Sequence, residues 1–435
     1  MRLKTNILSK NYDILYQKNK GRIPLKKIST SFNMNRSKAL KLIILFGIIS
    51  LLGDMIYEGA RSVNGPYLEI LGANAAIIGF VAGVGEFLGY AIRIASGYFS
   101  DKTKAYWFFM IAGYGLLFTV PLLSLAGIWQ LAALFIISER IGKALRNPAK
   151  DTILSQATKQ IGTGMGFAIV EVLDQIGAII GPLIFSIFFF LVGASGKALS
   201  DYQTGYSFLW APFILLMIVI FLAYFLVKKP QELEKSIVTK KEHEQFSRIF
   251  WLYTLFSFIT TFGFVNFALI GYHLKVHNII SDAGIPLLYA VAMGIDAVMA
   301  LVIGKTYDTL KNKKKNENAG LLTLLIIPLL SMFIPLLAFS LNYIFIIISM
   351  VFWGMVMGAH ETIMKSAIAD ITPLKKRGTG YGIFSTSYGL AIFGGSIMVG
   401  LLYDFSIPIL IVITIVIEII AILFFYILWK TSMRG

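Results

Sequence analysis

Apolar runs of about 20 residues alternate with short polar turns along most of the chain, and a run of that length crosses a bilayer as a helix. Twelve such segments are readable: 39–68, 73–97, 105–126, 128–148, 162–192, 206–227, 247–275, 283–305, 319–341, 343–369, 379–403 and 407–429. The longest internal polar stretch, 228–246, lies between the sixth and seventh. It is the linker between a first half at 39–227 and a second at 247–429. A basic tail at 1–38 and a short end at 430–435 flank them. The tail reads as a disordered cytoplasmic arm without a cleavable signal peptide, because the first apolar run begins only at Ala39.

Composition agrees with membrane spans. Of 435 residues, 57% are hydrophobic and 14% charged, with a mean hydropathy of +0.75. A soluble domain carries about 25% charged residues, so one soluble core cannot hide this apolar excess. The formal net charge of +16 would suggest nucleic acid as the partner of a soluble chain. Here the basic residues sit in loops and the tail, where they act as topology signals facing membrane lipid. With no cysteine, disulfides, thiolate metal sites and cysteine nucleophiles are excluded.

Lysine and arginine also set the orientation. One set of loops holds Lys102 and Lys104, Lys150 and Lys159, the central linker, Lys311–Lys315 and Lys375–Arg377. The opposite loops around Gly127 and Ser340 carry no charge. Both termini are therefore expected on the cytoplasmic side of a plasma-membrane protein.

Charge within the segments follows a period of three. The third, sixth and ninth segments have no charged residue, and the twelfth has only Glu418; the eleventh also has none, but its many glycines suit a helix that slides or packs tightly. Intramembrane ionisable groups avoid lipid and face a bundle interior or a watery cavity. Every third helix then faces lipid. The expected fold is all-α, with twelve transmembrane helices in two pseudo-symmetric six-helix bundles around a central polar path.

A repeated hairpin supports two related halves. Gly97-Tyr98-Phe99-Ser100-Asp101-Lys102-Thr103-Lys104 has a counterpart in Gly304-Lys305-Thr306-Tyr307-Asp308 and the lysines after it. Gly162-Thr163-Gly164-Met165-Gly166 and Gly378-Thr379-Gly380-Tyr381-Gly382 form a second repeat in the same order. Such repeats mark many secondary transporters. The first hairpin is similar to the loop between helices two and three of the major facilitator superfamily, G-x-x-x-D-[RK]-x-G-[RK]-[RK]. Gly97, Asp101 and Lys102 match, whereas Lys104, Ala105 and Tyr106 depart from the pattern. The resemblance implies two halves that open alternately to either side. It also implies a cytoplasmic gate in which Asp101 closes near the start of helix eleven, at Gly378–Gly380. Gly97, Lys102, Arg93, Arg146, Gly304 and Asp308 are assigned to the same gate.

Several intramembrane residues are candidates for proton or solute binding. Asp54, Glu58 and Arg61 lie on one helical stripe, and so do Glu86 and Arg93. Each charge at that depth costs roughly 2.5–3.5 kcal/mol to insert, so it is either functional or held in an ion pair. Glu139 and Arg140 are neighbours that point about 100° apart and are expected to need separate partners, Arg140 meeting a carboxylate of helix one, two or five. Lys143, Arg146 and Lys150 step toward the cytoplasmic end, as gate partners of Asp101 or guides for an anion. Glu171 and Asp174 lie together in helix five, ahead of Gly177, Gly181 and Pro182. That G-x-x-x-G-P is similar to the fifth-helix signature of superfamily antiporters, although Ala168 and Phe185-Ser186 replace its flanking glycines. It reads equally as a Gly/Pro bend packed on another helix. The second half adds Asp296, His360 and Glu361.

No metal or cofactor site is expected. His360-Glu361 does not continue as H-E-x-x-H, since Met364 stands in the last position. Gly304-Lys305-Thr306 resembles the end of a phosphate-binding loop, but Met299 replaces its first glycine. The chain thus reads as a non-enzymatic secondary transporter of a small solute, driven by an ion gradient and acting as a monomer. Proton-coupled export of small organic or drug-like molecules is the favoured reading. Uptake of an anionic metabolite by proton symport or uniport is the alternative. A non-transporting receptor has the weakest case, because it would not need six buried carboxylates. The chain also resembles a group of prokaryotic superfamily transporters with Asp-x3-Glu-x2-Arg in helix one and Glu-Arg-x-Gly-Lys in helix four.

Overall fold

A computed structural model describes residues 25–158, 163–193, 198–228, 245–314, 317–372 and 377–433. Its spans are α1 (Leu25–Arg61), α2 (Ala75–Thr103), α3 (Tyr106–Leu125), α4 (Trp129–Thr158), α5 (Thr163–Val192) and α6 (Leu199–Leu226) in the first half. The second half holds α7 (Arg248–Val276), α8 (Gly284–Lys314), α9 (Ala319–Ala338), α10 (Tyr343–Ile371), α11 (Arg377–Phe405) and α12 (Ile407–Ser432). Eleven of these are long and apolar enough to cross a membrane. The twelfth, α4, is long enough but carries Glu139, Arg140, Lys143, Arg146, Lys150 and Asp151, which depress its hydropathy.

The first helix extends beyond the first apolar run. α1 starts at Leu25 rather than Ala39, so part of the tail is helical. The stretch from Leu25 to Phe46 contains neither Pro nor Gly, and nothing in it breaks the backbone hydrogen bonds of the span that follows. Residues 1–24 and most of the linker lie outside the described residues.

Each half has its own apolar core. One is built around Phe46, Tyr67, Trp107, Phe185, Phe189 and Tyr206, the other around Phe250, Tyr253, Phe267, Tyr289 and Trp353. The packing repeats from half to half. α1 packs on α5 and α6, as α7 packs on α11 and α12, and α2 packs on α4 as α8 packs on α10. Across the halves, α2 meets α11 and α5 meets α8, which is the same contact made twice with the roles exchanged.

Small residues permit these crossings, because without a Cβ the backbones come into direct contact. A Cβ at Gly177 or Gly181 of α5 would lie 2.2 Å from the Leu51 carbonyl oxygen or 2.4 Å from that of Met55. α5 is continuous through Pro182, and Gly177 and Gly181 form its contact with α1. Gly97 and Gly304, the first residues of the repeated hairpins, play matching parts. Gly97 faces Pro148 of α4, and Gly304 faces Thr362 of α10.

Apolar side chains cover the outer faces of α3, α6, α9 and α12, including Phe108, Phe225, Phe333 and Leu423. Glu418 is the exception within α12, and it turns inward. It is wholly buried, and Thr260 of α7 donates a hydrogen bond to its Oε2 at 2.7 Å.

The ends of the molecule differ. Lys102, Lys150, Lys228 and Lys311 mark a basic end. At the far end the halves are closed against each other. Asp404, at the end of α11, accepts hydrogen bonds from the Ala75 and Ala76 amides at 3.3 and 2.9 Å, where the first turn of α2 leaves its donors free. Ser186 of α5 donates to the Ala283 carbonyl at 2.8 Å just before α8, and a Cβ at Gly65 would fall 2.0 Å from the Ala268 carbonyl.

A branched residue at the α1–α5 crossing should therefore separate two backbones. Gly181→Val is expected to abolish a monodisperse peak in gel filtration of the detergent-solubilised protein. Gly115→Ala, where no atom lies within 4 Å of the added methyl, should leave that peak unchanged.

Candidate solute cavity

A cavity of about 500 Å³ lies between the halves. It runs from Glu58 in the interior to Lys150 and Asp151 toward the basic end of α4, away from the closed far end. α1, α2, α4 and α5, with Tyr114 of α3, line it on one side, and α7, α8, α10 and α11 on the other. Asp54, Glu58, Arg61, Glu86, Arg93, Arg146, Glu171 and Asp174 all face it from the first half. Asp296, His360 and Glu361 face it from the second. The side chain of Lys365 lies outside those described.

Opposite charges alternate in the first half's wall and just behind it, where Glu139 and Arg140 are buried outside the cavity lining. The Glu58 carboxylate meets Arg61 at 3.7 Å, and Arg61 meets Glu86 at 3.7 Å. Glu86 pairs with Arg140 at 3.1 Å, Arg140 with Glu139 at 3.5 Å, and Glu139 with Arg146 at 3.6 Å. Glu86 therefore uses one oxygen for two guanidiniums, and Arg140 lies between two carboxylates. Such sharing matters because desolvating one ion costs several kcal/mol, and a single partner seldom offsets that. Tyr289 of α8 donates to Glu58, which ties this chain to the second half.

Arg140 therefore finds its carboxylate on helix two, one of the three helices expected. Glu139 and Arg140 do have separate partners, Arg146 and Glu86, and they also meet each other. Both side chains are long and flexible, so they bend back to each other while Glu86 and Arg146 extend the chain.

The residues assigned to the gate lie toward the basic end, where the cavity is open. Asp101 is exposed and accepts a hydrogen bond from Tyr106 at 3.0 Å. Lys102 lies over the Tyr98 ring, and Asp308 is exposed. Arg146, expected beside Asp101, is buried against Glu139 and the Tyr114 ring. Arg93 stacks on Tyr90, 4.6 Å from the ring centroid. These two arginines therefore belong to the cavity wall. The side chains at the start of α11, where Asp101 would close, lie outside those described.

Aromatic side chains carry much of what the sequence did not reveal. Arg140 donates to the Tyr57 hydroxyl, and Lys143 lies 3.8 Å from the Tyr57 ring centroid. Across the cavity, Phe264 stacks on Trp353 with centroids 5.8 Å apart, and its ring lies 5.7 Å from that of His360. Tyr57 sits next to Glu58 on a charged stripe, which was a usable signal. Phe264 and Trp353 lie in apolar runs that periodicity cannot tell from core.

Two six-span halves around a charged central cavity define a membrane transporter. A family model described as Major Facilitator Superfamily matches residues 43–392, and the chain belongs to that superfamily. Uncharacterised proteins of Mycobacterium tuberculosis and Mycobacterium bovis are 36% identical over 394 residues, covering 89% of this chain and 93% of theirs. An uncharacterised MFS-type transporter of Methanocaldococcus jannaschii is 24% identical, covering 86% of this chain and 91% of its own.

Solved structures agree on the fold. One is a bacterial homologue of the human lysosomal transporter Spinster, inward-facing and unoccupied, with a TM-score of 0.64 at 14% identity over 91% of this chain and 98% of its own. Another is a POT family transporter in complex with 5-aminolevulinic acid, with a TM-score of 0.69 at 14% identity over 91% and 96%.

Removing the central cation of the charge chain should be costly. Arg140→Met leaves Glu86 with Arg61 alone and Glu139 with Arg146 alone, and the cost is expected to stay below the roughly 3–5 kcal/mol of a buried ion left with no partner. Thermal unfolding in detergent is expected to show a clear loss of stability, partly restored in Arg140→Met/Glu86→Gln.

Proposed function

We propose that the chain is a plasma-membrane secondary transporter that exchanges protons for a small organic solute by alternating access, in the direction of export. The observation that carries this reading is the cavity's excess of acid: eight carboxylates line it against five lysine and arginine side chains. Asp54 and Asp174 are among these eight and lie outside the alternating ion pairs of Glu58, Glu86 and Glu139. A carboxylate in such a place can take up a proton and release it as the cavity opens to either side, which couples proton movement to that of the solute. The basic loops favour cytoplasmic termini, which makes the described state open to the cytoplasm, where an exported solute would enter.

A second reading is uptake of an anionic solute with protons. It is favoured by Arg93 and Arg146, whose Nε and Nη1 atoms have no hydrogen-bond partner among the described residues. The two readings differ in sign. In proteoliposomes, a solute gradient should drive protons against the solute's direction in exchange and along with it in cotransport. Asp54→Asn is expected to abolish solute-driven proton movement. Solute transport at full rate without any proton movement in the wild type would end the proton-coupled reading.

A further inference from the structure

The two walls of the cavity differ in chemistry. The first half's acids are largely answered by their own arginines and lysines. The second half contributes Asp296 and Glu361, and its described lining residues include no lysine or arginine. Arg61, a cation of the opposite wall, is already engaged by Glu58 and Glu86.

Backbone contact between α8 and α10 positions this acidic wall. A Cβ at Gly354 would lie 2.4 Å from the Ala292 carbonyl oxygen, and one at Gly358 would lie 2.5 Å from that of Asp296. The two helices therefore touch just where Asp296 sits, and Glu361 follows less than one turn after Gly358. Asp296 is only 3% exposed, yet it lines the cavity, and its Oδ1 has no hydrogen-bond partner among the described residues. Glu361 is exposed to the cavity.

Around the two acids the wall is aromatic. Phe264, Trp353 and Tyr388 all line the cavity, and Trp353 is otherwise fully buried. An ammonium group gains from the negative face of such rings within about 6 Å, and more when water is excluded. It also donates well to a carboxylate, in a charge-assisted bond roughly twice as strong as a neutral one. An anion would meet two like charges and the negative faces of the rings.

We propose that the second half holds the positive group of the solute. Asp296 and Glu361 receive an organic ammonium whose apolar body lies against Phe264, Trp353 and Tyr388. This rests on the transport reading and names its substrate class: amines with a flat or bulky apolar body, of a size the cavity of about 500 Å³ admits. Proton coupling then falls to the opposite wall, around Asp54 and Asp174.

The test is binding to the purified full chain in detergent, by calorimetry, with matched sets of ligands. Each set is an amine, its neutral amide and its carboxylate on a phenyl, naphthyl or indolyl body. At least one amine is expected to bind more tightly than its amide and carboxylate counterparts. Asp296→Asn and Glu361→Gln should each weaken it by about tenfold, the loss of one charge-assisted contact. Glu361 faces the open cavity, so its variant tests the site even if Asp296→Asn fails to fold. Preference for the carboxylates, amine binding unchanged in both variants, or no amine binding at millimolar concentration would each overturn the proposal. Asp54→Asn separates the two readings. If it alone abolishes amine binding, the ammonium site lies in the first half and only this inference falls. If it leaves solute-driven proton movement intact while Asp296→Asn weakens amine binding, the assigned proton site falls and the ammonium site stands.

Discussion

A charge buried inside a membrane protein must be answered by an opposite charge or a hydrogen bond, and this requirement organises the first half of the molecule. Glu58, Arg61, Glu86, Arg140, Glu139 and Arg146 satisfy it as a chain of alternating sign across α1, α2 and α4. At an effective dielectric of about 20, opposite charges 4 Å apart attract by about 4 kcal/mol. That is comparable with the cost of desolvating one of them, so an isolated pair would gain little. Sharing changes the balance, because each inner member attracts two neighbours and is desolvated once. Tyr289 carries the chain to α8, making the same network part of the contact between the halves.

Close helix contact is the second requirement, and the two depend on each other. Arg140 reaches Glu86 because α4 lies against α2, where a Cβ at Gly85 would come within 3.0 Å of the Arg140 side chain. Asp296 reaches the cavity because Gly354 and Gly358 let α10 lie directly on α8. In lipid, apolar surface alone drives little helix association, so van der Waals contact at such glycines carries more of the packing. The repeated use of small residues in both halves produces matching crossings, and these leave a space between the halves lined by side chains that cannot face lipid.

The halves use that space differently. One wall is a nearly balanced set of charges, with Asp54 and Asp174 beside it. The other is aromatic and acidic. The far end, where Asp404 caps the first turn of α2, holds the halves together while the basic end remains open to the cavity.

Much of this was legible in the chain itself. Apolar runs of membrane length, the period-three absence of charge and the repeated Gly-x3-Asp hairpin gave the spans, the lipid-facing helices and the two halves. The depth of Asp54, Glu58, Glu86 and Arg140 marked them as cavity or ion-pair residues, because burial of a charge is costly wherever it occurs along a sequence. What the sequence could not supply was partners. Arg146 was read as a gate residue and lies against Glu139. Glu418 had no visible reason to be in an apolar helix until Thr260 of α7 stood opposite it. Phe264 and Trp353 looked like core and line the cavity. Local composition determines that a charge must be satisfied and that a helix must be buried. Only the packing of distant helices decides which group does the satisfying, since the energies depend on distances between residues far apart in the chain.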